Sequence, residues 1–373
     1  MLTIIDKYIL KKFLGTYIFS ISLILAIFIV FDIKEKVQTF STEDIPLKEI
    51  IIDYYCMFIP VYGNMFSPLF TFISIIFFTS KMAHRTEFVA ILSSGAGFNR
   101  ILKPYLIGAF IIGFSSLLLN HFVIPKAQKI KIGFEDRWIN KGYVTDDKNI
   151  HKIIAPNTVL YMESYDNLKN TAHKMSIEKF VNNKQLSILK ADEMKWDTIN
   201  RQWILTNVFE KTITQQDKLD TLKNQKPIHM EKHTYSPTKK IKIDFTPSDM
   251  WRYESKFETM NTPELMNYIA RETQKGSNQI EFFEVELHRR TSFPFATFLL
   301  TIIGLAISSR KVRGGVGLQI AFGMLLSCLY IMLMYIFTTV ATTGFSASVL
   351  LAVWTPNIIF SFVAFYFYRN AQQ

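Results

Sequence analysis

Phe13-Leu-Gly-Thr-Tyr-Ile-Phe-Ser-Ile-Ser-Leu-Ile-Leu-Ala-Ile-Phe-Ile-Val-Phe-Asp-Ile33 carries no charged residue before Asp32. A hydrocarbon core about 30 Å thick is crossed by roughly 20 apolar residues of helix, so this stretch is long enough to span a bilayer. Lys7, Lys11 and Lys12 precede it like the basic start of a signal peptide. It is too long for a signal-peptide core, however, and no small-x-small cleavage site follows, so a retained signal anchor is expected.

The same length test, carried along the chain, is passed by Tyr54 to Phe78, Ile101 to Ile124, the stretch between Arg290 and Arg310, Leu318 to Thr342 and Val349 to Tyr368. Lys103 can snorkel to the headgroups, and Pro125 is expected to end the third span. The chain is 49% hydrophobic over 373 residues, an average that suits either a soluble or a membrane protein, so the segregation of its residues decides the class. Pro125 to Arg290 is charged and polar throughout. The expected fold is an α-helical membrane protein with two groups of three spans and an inserted all-β domain. The expected divisions are 1–124 for the first trio, 125–260 for the β domain, 261–290 for connecting helices and 291–373 for the second trio.

Lys and Arg in short loops set orientation. With the N-terminus inside, the cytoplasmic segments hold Lys7, Lys11, Lys12, Lys81, Arg85, Arg100, Lys103, Arg310, Lys311, Arg313 and Arg369 against Asp6 and Glu87. The loop after the first span mixes Lys34, Lys36 and Lys48 with Glu35, Glu43, Asp44, Glu49 and Asp53. Both termini are therefore expected in the cytoplasm and the β domain outside it. The asymmetry also accounts for much of the net charge of +11, which leaves nucleic-acid binding an unnecessary explanation.

Within the polar region Thr158–Glu163, Lys174–Phe180, Gln185–Leu189 and Gln202–Phe209 are rich in strand formers, with turn-like Tyr165–Asn170 and Val181–Asn183 between them. Short strands at this spacing favour an antiparallel sandwich or jelly roll. After them Thr262 can cap a helix with Pro263 at its first position and Glu264 beside its N-terminus. Gly276 should interrupt that helix, and Ile280 to Arg290 should feed a second one into the fourth span.

The chain has no phosphate-binding loop, no His-Glu-x-x-His, no paired Cys-x-x-Cys and no Gly-x-Ser-x-Gly, which weakens an enzyme reading. No acid lies deep in a span, which argues against a carrier driven by protons or sodium. Cys56 and Cys328 fall inside spans and read as small packing residues. His151, His173, His229 and His233 are scattered, so no metal site is expected. Three features rise above packing. The loop at about 81–97 offers an amphipathic helix in which Phe88, Ile91 and Leu92 share a face, Arg85 and Glu87 stay polar and Gly95 can end the turn. Such a helix either lies on lipid or docks a partner. Lys34 and Lys36 either anchor the first span or attract an anionic headgroup. Pro60, Pro68, Pro294 and Pro356 should kink their helices.

The order of parts, together with Ile5-Asp-Lys-Tyr-Ile-Leu-Lys-Lys-Phe13, Arg85-Thr-Glu-Phe-Val-Ala-Ile-Leu-Ser-Ser-Gly95 and Glu286-Leu-His-Arg-Arg-Thr-Ser-Phe-Pro-Phe295, resembles the LptF/LptG-type permeases of lipopolysaccharide export, also called the YjgP/YjgQ family. The resemblance covers nearly the whole chain. It implies a permease in the inner membrane that pairs with a second permease of the same family, commonly as a heterodimer. A cytoplasmic ATPase dimer would clamp the pair and bind ATP and Mg, with no cofactor on this chain. Lipopolysaccharide would pass from the outer leaflet of that membrane to the jelly-roll domain and a periplasmic bridge of similar folds. Arg85, Glu87, Phe88, Ile91, Leu92 and Gly95 would then form the coupling helix, with Glu87 meeting a basic residue of the ATPase. Lys34 and Lys36 would meet the phosphates of the lipid. The Arg310 to Gly315 loop does not decide between the two paralogues. Two other readings stay open, a mechanotransmitting ABC subunit that passes no lipid and a membrane-anchored sensor or scaffold with a ligand-binding β domain.

Overall fold

In the computed structural model the described residues are 3–95, 97–139, 149–166, 169–181, 184–215, 229–250, 257–276, 280–309, 315–343 and 348–371. The chain divides into two compact units, Met1–Ile139 with Lys256–Met266 and Glu281–Gln373, and Asn140–Ser255 with Asn267–Ile280. Among the described residues the first holds six helices long and apolar enough to cross a membrane: α1 (Ile4–Thr42), α2 (Leu47–His84), α4 (Phe98–Ile139), α6 (Ile280–Ser308), α7 (Gly315–Thr342) and α8 (Val349–Ala371). A short α3 (Glu87–Ser93) joins α2 to α4, and α5 (Thr262–Lys275) precedes α6.

Close helix contact rests on small residues. A Cβ on Gly108 of α4 would stand 2.4 Å from the Phe13 ring of α1, and one on Gly323 of α7 would stand 2.2 Å from Ile76 of α2. At both places an added methyl would force the neighbouring side chain to move, and helices meeting over such small residues gain dispersion contacts that lipid tails do not outcompete. Ile9, Phe13, Phe78, Met82, Tyr105 and Leu305 form one buried cluster, and Phe72, Ile76, Leu300, Ile303, Tyr330 and Phe360 form another. The outward faces remain apolar, with Phe19, Phe31, Leu351 and Phe362 all well exposed. Cys56 and Cys328 are also exposed, so they face outward and are not the packing residues expected.

α4 does not end at Pro125. It runs on to Ile139 because a π-helical turn, Leu119–Val123, opens the hydrogen-bond ladder just before the proline, whose missing N–H then costs little. Pro60, Pro68 and Pro294 likewise sit within continuous helices. Pro294 cannot donate to the Arg290 carbonyl one turn back, and the Asn120 side chain supplies a donor to that oxygen at 3.4 Å. The cap of α5 is Asn261, not Thr262. Asn261 Oδ1 accepts from the Glu264 N–H at 3.0 Å and the Asn261 N–H donates to Glu264 Oε2 at 3.1 Å, a reciprocal capping box.

The second unit contains the expected inserted antiparallel domain, one sheet of six strands in the consecutive order β1 (Ile150–Ala155), β2 (Thr158–Asp166), β3 (Thr171–Val181), β4 (Lys184–Asp197), β5 (Gln202–Gln215) and β6 (His229–Ile241). One face packs Leu160, Met162, Met175, Met194, Trp203 and Leu205 into a core, and the Trp203 Nε1–H donates to the Phe245 carbonyl at 2.7 Å. A row of interruptions crosses the sheet without shifting its register. The ladder skips the Glu163/Lys174, Lys174/Asp192, Asp192/Asn207 and Asn207/Pro237 positions in four successive strand pairs. Lys174 and Asn207 enter the left-handed region there, at φ 46° and 55°, and Pro237, which has no N–H to offer, is tolerated opposite.

Candidate functional site

α2 ends at His84 with Arg85 as its C-cap, and Thr86, at φ 61°, turns the chain so that its carbonyl accepts the Ala90 N–H at 2.9 Å and α3 begins. Gly95, at φ 89°, closes the segment in a conformation that costs a side-chain-bearing residue. Phe88 is 1% exposed within the Ile9, Phe13, Met82 and Phe98 cluster, and Ile91 packs against the same cluster. The apolar face expected to meet lipid or a partner thus meets its own helix group. Four neighbouring hydrophobes supply a dry pocket that an aromatic ring fills at a gain of about 1.5–3 kcal/mol. What α3 and its flanks leave outward is Arg85, Thr86, Ala90, Ser93, Ser94 and Gly95, with Glu87 half-buried. The side chain of Leu92 and the residues Arg310–Gly314 lie outside the described set.

The foot of α1 is fastened to the same place. Asp6 and Thr3 form a capping box, Arg100 of α4 grips Asp6 through both guanidinium Nη atoms at 2.6 and 2.8 Å, and the Tyr8 hydroxyl donates to Glu87 Oε2 at 3.5 Å. A bidentate guanidinium–carboxylate pair fixes orientation as well as distance. α1, α3 and the start of α4 are therefore one mechanical piece.

At the other end of α1 the lysine pair separates. Residues two apart on a helix point to different sides, and Lys34 is exposed while Lys36 turns inward. Lys36 Nζ donates to Asp32 Oδ1 at 2.9 Å and to the Tyr54 hydroxyl, and lies 3.9 Å from Glu135. Tyr54 and Tyr55 both donate to Asp32, from the π-helical turn Ile50–Tyr55. Of the two lysines, Lys34 is the one left exposed to meet a ligand.

A polar cavity that sequence reading missed lies close by. It measures about 420 Å³, between α2, α4, Glu258 and the start of α6. Arg290, 3% exposed, donates to Glu286 Oε1 at 2.9 Å and to the Phe257 carbonyl at 2.9 Å, and Arg289 holds the other Glu286 oxygen at 2.7 Å. The side chain of Gln128 donates to Glu258 at 2.7 Å. Burial first, and the charge of Glu286 second, push the Glu258 carboxyl above its ordinary pKa. The one available signal was the density of charge in Glu286, Arg289 and Arg290 at the head of a span.

In the β unit a second cavity, about 810 Å³, opens on the sheet face opposite the core and is lined by Tyr161, Glu163, Ser176, Phe180, Phe209 and Tyr235. Its lining is mixed. The Lys174–Glu163 ion pair at 2.8 Å and the Asn207–Asp192 hydrogen bond at 2.9 Å run along the row of ladder interruptions through it. The apolar face packs against Phe245 and Met250 in the core cluster.

With spans, foot and inserted sheet established, comparison with protein families is decisive. The model of the Lipopolysaccharide export system permease LptF/LptG family matches residues 7–370. The chain belongs to this family. No curated protein matches it individually. The LptF/LptG membership spans both membrane trios and the β unit together, and it makes the chain a transport permease and not an enzyme.

Proposed function

We propose that this LptF/LptG-family chain is the permease subunit of an ATP-driven lipopolysaccharide exporter, taking the lipid from the outer leaflet of the inner membrane toward a periplasmic bridge. The observation that carries this reading is the family match over residues 7–370. Each acyl methylene is held in the bilayer by about 0.8 kcal/mol, so a lipid with several chains does not leave unaided. The chain has no phosphate-binding loop of its own, so ATP and Mg are assigned to a cytoplasmic ATPase dimer. A second permease of the family completes the lipid cavity. Burial of α1 supports this pairing, because only 6% of its most apolar window is covered by the rest of the chain.

The ATPase docks on the outward face of α3, where Glu87 offers a carboxylate between exposed Arg85 and Ala90. Closure of the ATPase moves the fused foot of α1, α3 and α4 as a unit and narrows the cavity. Glu87→Lys tests this. The variant is expected to fold and insert, since Glu87 is not in the packed core, but to lose co-purification with the ATPase and to stop lipid export. Export at the wild-type rate in Glu87→Lys would remove the coupling role from α3.

A further inference from the structure

α4 meets its neighbours over glycines, Gly108 against Phe13 of α1 and Gly113 against Phe298 of α6, where an added Cβ would stand 3.0 Å from the ring. On the turns of α4 before Gly113 the space between these helices is not filled, and a groove of about 850 Å³ opens there. Its mouth is polar, formed by Asp6, Arg100 and Lys103. Its wall is apolar, formed by Leu106, Ile107, Phe110 and Phe298. At 1.5 Å per residue, Phe110 lies about 10 Å along the helix from Lys103, so the wall runs from the α3 end of the span toward its middle.

The charges at the mouth do not cancel. Asp6 is already occupied at both oxygens: Oδ1 accepts from Arg100 at 2.6 Å, and Oδ2 accepts from Arg100 at 2.8 Å and from the Thr3 N–H at 2.8 Å. Arg100 gives its third bond to Thr3 Oγ1 at 3.0 Å, and among the described residues its Nε–H and second Nη1–H have no acceptor. Lys103 is exposed and forms no ion pair among the described residues. One cation is therefore uncompensated, beside guanidinium donors that are still open. A ligand that answers both ends of the groove carries an anionic group and an apolar tail. The tail exchanges one hydrocarbon surface for another and gains little, so the headgroup decides the affinity. An ammonium beside the anion would meet two cations and a carboxylate already accepting at both oxygens.

We propose that this groove holds an anionic phospholipid of the leaflet on the α3 side, one whose phosphate is its only charge. The phosphate lies between Lys103 and Arg100, and an acyl chain lies against Leu106, Ile107, Phe110 and Phe298. Because Arg100 also grips Asp6, the lipid is fastened to the foot of α1. The site is built within one chain, so it depends neither on the paired permease nor on the exported lipid.

The test is lipid retention by the full-length protein. The purified chain is placed in nanodiscs of equal phosphatidylglycerol and phosphatidylethanolamine, and the lipids that stay bound are counted by native mass spectrometry. The wild type is expected to keep phosphatidylglycerol over phosphatidylethanolamine by about fivefold, since one lysine near the surface favours an anionic lipid by about 1 kcal/mol. Lys103→Gln should bring that ratio close to one. Lys11→Gln removes another exposed cation from the same end of the helices but outside the groove, and should leave the ratio unchanged. Ile107→Trp, which fills the wall, should lower the number of lipids retained. Should that variant not fold, Phe110→Ala, at a side chain 57% exposed, shortens the wall and should lower retention in its place. Equal retention of the two lipids by the wild type would overturn the assignment. An equal loss of preference in Lys11→Gln and Lys103→Gln would also overturn it, because the attraction would then be diffuse. Full displacement by excess inorganic phosphate, or retention untouched by changes in the wall, would show an anion site that holds no lipid tail. The readout is bound lipid, so its failure is separate from that of the Glu87 experiment.

Discussion

Glu258 lies against Glu286, with Gln128 as its hydrogen-bond donor, and burial followed by that second carboxylate raises its pKa. A carboxyl whose folded pKa is raised binds its proton more tightly folded than unfolded. Stability therefore falls as pH rises from the ordinary carboxylate range up through the raised folded value, and the loss is complete above it. Glu258→Gln puts an amide of nearly the same shape in place of the carboxyl and has nothing to titrate. Melting temperatures of the detergent-solubilised protein should decline with pH across that window for the wild type and stay flatter for Glu258→Gln. Parallel curves for the two proteins would assign the pH dependence elsewhere. None of this was legible in the sequence, because Glu258 meets Gln128 and Glu286 only through folding. Lys34 and Lys36 show the complementary limit: adjacency in sequence suggested a pair, while the 100° per residue of a helix gives one to solvent and one to Asp32.

The β strands carry the clearest lesson at the scale of elements. Across the row of ladder interruptions the inward-facing residues are spaced by three, as in Met162 and Tyr165, Ala172 and Met175, Ala191 and Met194, and Leu205 and Val208, all of them buried. A strict period of two fails in the middle of four strands, so sequence reading found their more regular parts and stopped short of their full lengths. β6 escaped altogether because Lys232, His233, Tyr235, Lys239 and Lys240 face outward and Pro237 reads as a breaker. The row itself makes a prediction. Asn207 holds φ 55°, where a β-branched residue is strained by about 1–2 kcal/mol, and it donates to Asp192 at 2.9 Å. Asn207→Val should lower the stability of the β unit by about 2 kcal/mol, strain and lost bond together. Asn207→Gly, which keeps the backbone conformation, should cost about half as much. Hydrogen exchange at β4 and β5 in the full-length protein reads the difference, and equal protection in Asn207→Val and the wild type would show that the left-handed turn at Asn207 does not constrain the sheet.

For the whole molecule, the two trios of spans and the strand insert were legible because membrane helices must be long and apolar and the region between them is not. The pattern of lysine and arginine fixes one expected orientation, and the family match gives the chain its place in lipopolysaccharide export. Orientation has a direct consequence for chemistry at the surface. Cys56 and Cys328 are replaced by serine, and single cysteines are placed at Ser94, beyond α3, and at Lys195, on β4, both exposed. In intact cells with a permeabilised outer membrane, a membrane-impermeant maleimide should label the cysteine at 195 and reach the one at 94 only after the inner membrane is opened. An odd number of spans, α1, α2 and α4, separates the N-terminus from β4, so the two positions must lie on opposite sides if all three cross. Labelling of both before lysis would mean that one of these helices lies along the membrane, and the expected cytoplasmic site of α3 would fall with it.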